Sequence, residues 1–192
     1  MPAAIIGLYN SGSSLISQIV EKLGADIGRP LWDQHFESAK LKNKLSEWWN
    51  APSLQESSNQ SERIAYLKLW AAYHEESSRV VCAKHPLLCL SAPDLDKAWG
   101  SEYKAIRASR PLQKSIERLA ARNWFSEPDR MQRVLHAASE DYFSRKTHFC
   151  VEYEELLLNP VAKTQQIAEF LDLNCSDEKI RKAASVVKSP IY

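Results

Sequence analysis

The loop of residues 7–14 has the composition of an anion site. It reads Gly-Leu-Tyr-Asn-Ser-Gly-Ser-Ser and joins an apolar run to a segment with helical periodicity. Such a turn presents backbone N–H groups and the positive end of a helix dipole, and glycine lets the chain wrap closely around a phosphate. The spacing of Gly7 and Gly12 fits a G-x-x-x-x-G phosphate loop, but Ser13 stands where a nucleoside triphosphatase has its lysine. The loop therefore indicates an anion site that is not an ordinary ATPase or GTPase, and a turn that binds nothing is the alternative.

Lys84 and His85 could supply a cation and a base. They follow an apolar run, at the point where open α/β sheets place their ligands. A histidine can accept the proton of an attacking hydroxyl group, and a lysine can stabilise negative charge on a leaving group. The alternative is that His85 is only a loop histidine before Pro86.

Basic residues also cluster at the start of a later helix. In a chain of net charge +1, residues 106–119 contain Arg107, Arg110, Lys114 and Arg118. A guanidinium group can hold phosphate oxygens in a bidentate manner, which an ammonium group cannot. A solvated helix face is the ordinary meaning of such a run, but its position after a predicted strand favours phosphate binding. Arg110 and Ser115 are the first candidates, followed by Arg107 and Arg118.

The elements that must position these residues form an alternating pattern. Short apolar runs at 3–8, 79–83 and 148–152 predict buried parallel strands, and a less apolar run at 103–108 predicts a strand nearer an edge. Segments with helical periodicity follow at 14–23, 111–123 and 161–171. Strands that alternate with helices predict an α/β fold with a central parallel sheet of about four to five strands flanked by helices.

The middle of the chain predicts a helical insertion, at about 33–78, within a single domain spanning 1–192. Its helices, at 36–49 and 63–77, are joined by a polar, serine-rich stretch at 50–61. The aromatic residues of this region could line an acceptor pocket, although aromatic residues at helical spacing more often fill a core or a dimer contact. They are Trp32, Phe36, Trp48, Trp49, Trp70 and Tyr73.

Bulk composition argues against several classes of protein. With 25 basic and 24 acidic side chains, the chain has no net field to attract a nucleic acid or an acidic membrane. No run has the length of a membrane span and the N-terminus lacks a basic leader, so we expect a cytoplasmic protein without membrane insertion. The four cysteines show no metal-ligand spacing, which predicts free thiols and no metal site. Cys82 and Cys150 lie in apolar runs and are expected to be buried.

Taken in order, four segments resemble the sulfotransferases that use 3′-phosphoadenosine 5′-phosphosulfate (PAPS). Residues 9–15, Tyr-Asn-Ser-Gly-Ser-Ser-Leu, are similar to the family's 5′-phosphosulfate loop, and residues 107–115 resemble its 3′-phosphate segment. Residues 151–160 and 167–173 are similar to its Tyr-Glu-Asp-Leu-Leu and Phe-Leu-Gly-Leu stretches. The resemblance spans most of the chain and implies a P-loop, sulfotransferase-like fold.

The resemblance also implies a co-substrate and roles for the candidate residues. PAPS would be bound by Asn10, Ser11, Gly12, Ser13 and Ser14 at its 5′ end, and by Arg107, Arg110, Ser115 and Arg118 at its 3′-phosphate. His85 would be the base for the acceptor hydroxyl, Lys84 would stabilise the leaving phosphate, and no metal would take part. The acceptor would be a small molecule or a sugar.

Two departures from the family pattern keep a second function open. Asn10 stands where the loop normally carries a basic residue, and Ser109 stands where the family more often has its phosphate-binding arginine. The chain is therefore either a sulfotransferase or a catalytically inactive binding protein on the same fold, which could use its aromatic helices for a partner or a homodimer. A small-molecule kinase is disfavoured by the missing loop lysine, and no nucleic-acid partner is expected.

Overall fold

Four parallel strands form the central sheet of the part of the chain that the structure describes. This part, in a computed structural model, comprises residues 1–32, 35–51, 53–76 and 80–187. The strands are β1 (Pro2–Ile6), β2 (Val81–Lys84), β3 (Lys104–Ser109) and β4 (Phe149–Glu152), in the order β2-β1-β3-β4. All three neighbouring pairs are parallel, so the predicted α/β class with a parallel sheet is confirmed. Position 79 of the predicted second strand lies outside the described residues.

The third strand corrects an expectation from the sequence. We expected the run at 103–108 to lie nearer an edge, but β3 is an interior strand between β1 and β4. Its polarity comes from two long side chains that leave the core. Lys104 reaches Asp172 at 3.4 Å, and Arg107 pairs with Glu140. The aliphatic stems of such side chains can cross a buried surface while the charged ends reach partners outside it.

Helices cover both faces of the sheet. Those of the described residues are α1 (Ser13–Lys22), α2 (Ala39–Trp48), α3 (Gln60–Glu75), α4 (Leu88–Trp99), α5 (Leu112–Arg122), α6 (Pro128–Phe143), α7 (Tyr153–Leu158), α8 (Pro160–Phe170) and α9 (Asp177–Ala184). Successive side chains of a strand point to opposite faces. Ala3 and Ile5 of β1 therefore pack with α1 and α7–α9, and Ala4 and Ile6 pack with α2–α6.

The two helices predicted in the insertion are present, although position 77 at the end of the second one lies outside the described residues. They start at capping residues, because the side chains of Ser38 and Asn59 accept hydrogen bonds from the N–H groups of Leu41 and Glu62. Both helices belong to the core on one face of the sheet. Among the aromatic residues of the insertion, Trp48 and Trp70 are buried in that core, whereas Trp32 is 40% exposed.

The exposure of Cys82 and Cys150 depends on where their strands lie in the sheet. Cys82 is buried as expected, but Cys150 is exposed, so the expectation of burial is wrong there. Cys150 lies on the edge strand β4, where the alternation that buries Val151 turns its neighbour outward. No helix within the described ranges has both the length and the apolar character needed to cross a bilayer.

A buried ion pair connects the insertion to the rest of the domain. Arg63 of α3 donates from Nε to Asp94 of α4 at 2.7 Å, and both side chains are nearly inaccessible to solvent. Glu56 also pairs with Arg63, but the Glu56 side chain is half exposed. A buried charge that loses its partner is costly, whereas an exposed partner contributes little.

We therefore expect Asp94→Ala to lower the free energy of unfolding by about 3–5 kcal/mol, because it leaves the Arg63 guanidinium without its buried partner. Glu56→Ala is the matched control and should cost less than about 1 kcal/mol. Urea denaturation of the two variants measures both values. Equal losses would show that burial does not decide the contribution of this pair.

Candidate active site

A cavity of about 550 Å³ opens at the carboxyl ends of the first three strands. Its wall contains eight of the eleven candidate catalytic and donor-binding residues, which come from the loop after β1, the end of β2 and the region after β3. They are Asn10, Gly12, Ser13, Ser14, Lys84, His85, Arg110 and Arg118. Convergence of the strand ends at one edge of the sheet thus brings together segments that are up to about a hundred residues apart.

The loop after β1 presents unpaired backbone donors. Gly12 precedes α1 in a left-handed conformation (φ 92°), and a side chain there would collide with the ring of Tyr153. Among the described residues, no acceptor binds the N–H groups of Gly12, Ser13 or Ser14. Donors at a helix start, close to the positive end of its dipole, are the groups that bind phosphate and sulfate oxygens.

Asn10 has a conformation that explains its presence in the loop. Its φ is 61°, in the left-handed region that asparagine adopts more readily than lysine or arginine. The Asn10 carbonyl accepts a hydrogen bond from Nη1 of Arg110 at 3.3 Å. Its buried Nδ2 has no partner in the described part of the chain. This amide is therefore a second unused donor beside the loop.

Arg110 lies directly after β3 and packs against the loop. Its side chain is 8% exposed, its guanidinium lies 4.3 Å from the centroid of the Tyr153 ring, and its Nε is 3.4 Å from Oε1 of Glu154. Nε makes no hydrogen bond to a described residue. The guanidinium is thus held in place beside the loop, with its buried Nε next to the Glu154 carboxylate.

Three other predicted residues are not brought to the cavity. Arg107 lies inside β3, so its side chain points to the face covered by α6 and pairs with Glu140 there. Ser11 and Ser115 are buried beneath the loop, and their hydroxyl groups have no partner among the described residues. The cavity wall contains none of the three.

The sequence did not single out Glu37, although it links the polar residues of the cavity. Its buried Oε1 accepts a hydrogen bond from Nζ of Lys84, which also donates to Oγ of Ser14 at 2.9 Å and to the carbonyl of His35 at 3.3 Å. The second oxygen, Oε2, is 3.7 Å from Nε2 of His85 and has no hydrogen-bond partner in the described residues. The wall of the cavity therefore contains a buried carboxylate with one free oxygen.

Local pairing of the chain before α2 positions this carboxylate. Leu31 and Ser38 form an antiparallel bridge, and the N–H of Trp32 donates to the carbonyl of Glu37 at 2.7 Å. Oγ of Ser17, in α1, donates to the carbonyl of Phe36 at 2.8 Å. No motif marks Glu37, since it is a single acidic residue between Phe36 and the helix cap, and only long-range packing shows its role.

His85 is held in one protonation state. Burial lowers the pKa of His85 to about 4, so the ring is neutral near pH 7. The N–H of Leu87 donates to Nδ1 at 3.1 Å, so Nδ1 is an acceptor and the ring proton must be on Nε2. The protonated Nε2 of His85 faces Glu37, at 3.7 Å from Oε2. Burial also lowers the pKa of Lys84, although the adjacent Glu37 charge opposes this effect.

The comparisons with known proteins identify the fold and nothing finer. No protein-family model matches the sequence, and no curated protein matches it. Among solved structures, the sulfotransferase domain of the Synechococcus PCC 7002 olefin synthase is 18% identical, with a TM-score of 0.64, 99% of this chain covered and 81% of that chain covered. Sulfotransferase STF1 of Mycobacterium tuberculosis H37Rv is 12% identical, with a TM-score of 0.57 and coverage of 97% and 71%.

A sugar kinase from Janibacter sp. HTCC2649 has a comparable likeness, at 12% identity, a TM-score of 0.56 and coverage of 90% and 95%. Structural similarity at such low sequence identity establishes the fold and not the reaction, because one fold can support several reactions. The resemblance noted in the sequence is confirmed at this level, since the chain has a sulfotransferase-type α/β fold. In the described residues, no group of His, Cys, Asp or Glu side chains could hold a metal ion.

The state of His85 leads to a prediction about pH. Because the folded pKa is depressed from 6.5 to about 4, His85 stabilises the fold above pH 6.5, and this contribution is lost as the pH falls towards 4. In His85→Asn, the side-chain oxygen can still accept the hydrogen bond from the Leu87 N–H, but the group no longer titrates. Between pH 6.5 and 4, this variant should therefore lose about 3 kcal/mol less of its free energy of unfolding than the wild type. Urea denaturation at a series of pH values measures the difference. NMR titration gives a direct check, and a His85 ring that takes up its proton above pH 6 would contradict the assignment.

Proposed function

We propose that this protein transfers a sulfuryl group from PAPS to a hydroxyl group of a small molecule or a sugar. The observation that carries the proposal is the buried Lys84–Glu37 pair, which contacts Ser14 of the anion loop inside the cavity. A cation, a carboxylate with a free oxygen and a row of unpaired N–H groups are thus adjacent. These are the groups needed to stabilise a leaving phosphate, accept a hydroxyl proton and hold the donor.

The residues present fit the donor at its 5′ end. The unpaired N–H groups of Gly12, Ser13 and Ser14 and the unused Nδ2 of Asn10 are donors suited to phosphate and sulfate oxygens. When bound, PAPS would supply the activated sulfuryl group. Arg110 and Arg118, which also belong to the cavity wall, would bind its 3′-phosphate.

Lys84 takes the role of the basic residue that the loop lacks. Its Nζ is 2.9 Å from Oγ of Ser14, so its positive charge is beside the loop even though it comes from a different strand. A cation at this place would stabilise the negative charge that develops on the bridging oxygen of the leaving phosphate. Asn10 then does not by itself remove the charge needed for transfer.

We assign the general base to Glu37 and a positioning role to His85. In the neutral ring, Nδ1 of His85 already accepts a hydrogen bond and Nε2 carries the proton, so no lone pair is free for a substrate. Glu37 belongs to the cavity wall, and its buried Oε2 accepts no hydrogen bond from a described residue. His85 would orient this carboxylate from the side, and the acceptor hydroxyl would give its proton to Glu37.

One observation favours the second candidate function, a catalytically inactive binding protein on the same fold. Arg107 is engaged by Glu140 and Ser115 is buried, so fewer groups than the resemblance implied are available for a 3′-phosphate. The protein would then bind PAPS more weakly than the resemblance implies. Binding of 3′-phosphoadenosine 5′-phosphate (PAP), the product of the donor, tests the site without requiring turnover.

We expect PAP to stabilise the protein by roughly 2.7 kcal/mol at a hundred times its dissociation constant. Arg110→Ala should weaken PAP binding by about 1.5–3 kcal/mol, because it removes a charge-assisted hydrogen bond, and the matched control Arg107→Ala should change affinity little. Thermal melting and calorimetry measure these effects, with AMP as the ligand that lacks only the 3′-phosphate. Equal binding of AMP and PAP would argue against a PAPS site.

The assignment of the base predicts different losses for two variants. Glu37→Gln should lower turnover about 10²- to 10⁴-fold and leave PAP affinity nearly intact, because the proton acceptor is lost while the loop is unchanged. His85→Asn should lower turnover less than about tenfold. The rate of sulfuryl transfer to a panel of phenols and sugars, with PAP calorimetry as the check on folding, measures both. A larger loss for His85→Asn would return the role of base to His85.

A further inference from the structure

A rim of aromatic and basic side chains surrounds the outer part of the cavity. We define it as Trp32, His35, Lys42, Arg122 and Trp124, all of which belong to the cavity wall. The rings of Trp32 and His35 stack at a centroid distance of 4.8 Å, and His35 meets Trp124 edge-on at 5.7 Å. The two indoles are 40% and 47% exposed, so the rim lies at the entrance.

The rings hold the two cations in place. Nζ of Lys42 lies 4.1 Å from the centroid of the Trp32 ring, and the guanidinium of Arg122 lies 4.5 Å from that of Trp124. Such contacts restrain long, flexible side chains. Because the indoles already pack against His35 and these cations, their main effect is to position positive charge rather than to offer a bare stacking surface.

The charge of the rim is not neutralised within the described residues. No described carboxylate lies within ion-pair distance of Lys42 or Arg122, whereas Lys84, Arg107 and Arg110 each have one. The net charge of the chain is only +1, so two restrained cations at the mouth of a cavity, without acidic partners among the described residues, form a local positive patch. They are available to a ligand that carries negative charge.

The rim is connected to the proposed reacting groups through His35. The carbonyl of His35 accepts a hydrogen bond from Nζ of Lys84 at 3.3 Å, and its ring stacks on Trp32. The charge of Lys42 also contributes to the lowered pKa of His85, which shows that Lys42 is within electrostatic reach of the inner cavity. Arg110, by contrast, packs on Tyr153 beside the anion loop.

We propose that Lys42 and Arg122 bind a carboxylate, sulfate or phosphate group of the acceptor, so that the preferred acceptors are hydroxyl compounds that carry a second, negatively charged group. The identification of the ligand as an acceptor rests on the proposed function. Recognition of its anionic group depends only on the rim and can be measured without turnover.

The test uses pairs of acceptors that differ only in charge. One pair is 3-(4-hydroxyphenyl)propionate and its primary amide, and the other is methyl glucuronide and methyl glucoside. Calorimetry with and without PAP should show about tenfold tighter binding of the acid than of its neutral partner in at least one pair. The pair that shows this preference indicates whether the acceptor is a phenol or a sugar. Added salt should reduce the preference, because the rim is partly exposed.

Two variants and one control locate the effect. Lys42→Gln and Arg122→Gln should each reduce the preference for the acid about threefold, because the two cations share the tenfold effect, and should leave binding of the neutral partner unchanged. Lys44→Gln removes the same charge from the same helix, but Lys44 pairs with Glu47 and does not belong to the cavity wall, so the preference should persist. Equal binding of acids and neutral compounds in both pairs would overturn the inference, as would an equal effect of Lys44→Gln or a loss of PAP affinity in the rim variants.

The outcomes also separate this inference from the proposed function. Transfer from PAPS to neutral and charged acceptors at equal rates would support the sulfotransferase and refute the anion site. Selective binding of the acids without turnover on any acceptor would leave the anion site standing and refute the transferase.

Discussion

The ion pair between Lys84 and Glu37 connects parts of the chain that are distant in sequence. Lys84 ends β2, Glu37 precedes α2, and Ser14 of the loop after β1 receives a hydrogen bond from the same ammonium group. Burying two charges is costly unless each is well paired and hydrogen-bonded. Here the ammonium group donates to three acceptors, while Oε2 of the carboxylate receives a hydrogen bond from no donor among the described residues. A pair retained at this cost in the wall of a cavity is typical of a site with a chemical role.

The sheet could be predicted from the sequence because buried parallel strands leave a simple pattern. Four short apolar runs agree with the four strands to within a few residues, and the helices that follow β1 and β3 agree equally well. The helices α4 and α6 were not predicted. Pro93 lies inside α4 and obscures its periodicity, whereas α6 begins at Pro128, a position that proline favours, and carries Met131, Leu135 and Tyr142 at helical spacing, so its sequence signal was missed. In the fold, α4 packs against α3, α6 and β1, and α6 packs against α4 and α5, and this packing stabilises both helices.

The site was predictable only as far as strand ends determine it. Lys84 ends its strand and His85 and Arg110 directly follow theirs, and the geometry of a parallel sheet brings such residues together. Arg107 is three positions before Arg110, but that spacing puts it inside the strand, where it faces α6. Glu37 shows the opposite case, because nothing beside it in the sequence suggests chemistry and the packing of α2 brings it to the cavity.

In the proposed site, the loop and the end of β2 share the role that one basic residue has in the family pattern. The left-handed backbone at Asn10 favours asparagine, because the Cβ atom of an ordinary residue costs roughly 1–2 kcal/mol in this conformation, which short polar side chains adopt more readily. The same backbone turns the Asn10 carbonyl towards Arg110, which fixes the loop against β3. Lys84 then brings the positive charge to Ser14 from the neighbouring strand, already aligned by its contact with Glu37. The loop thus keeps its donors and its shape, while the charge and the proposed base arrive together from outside it.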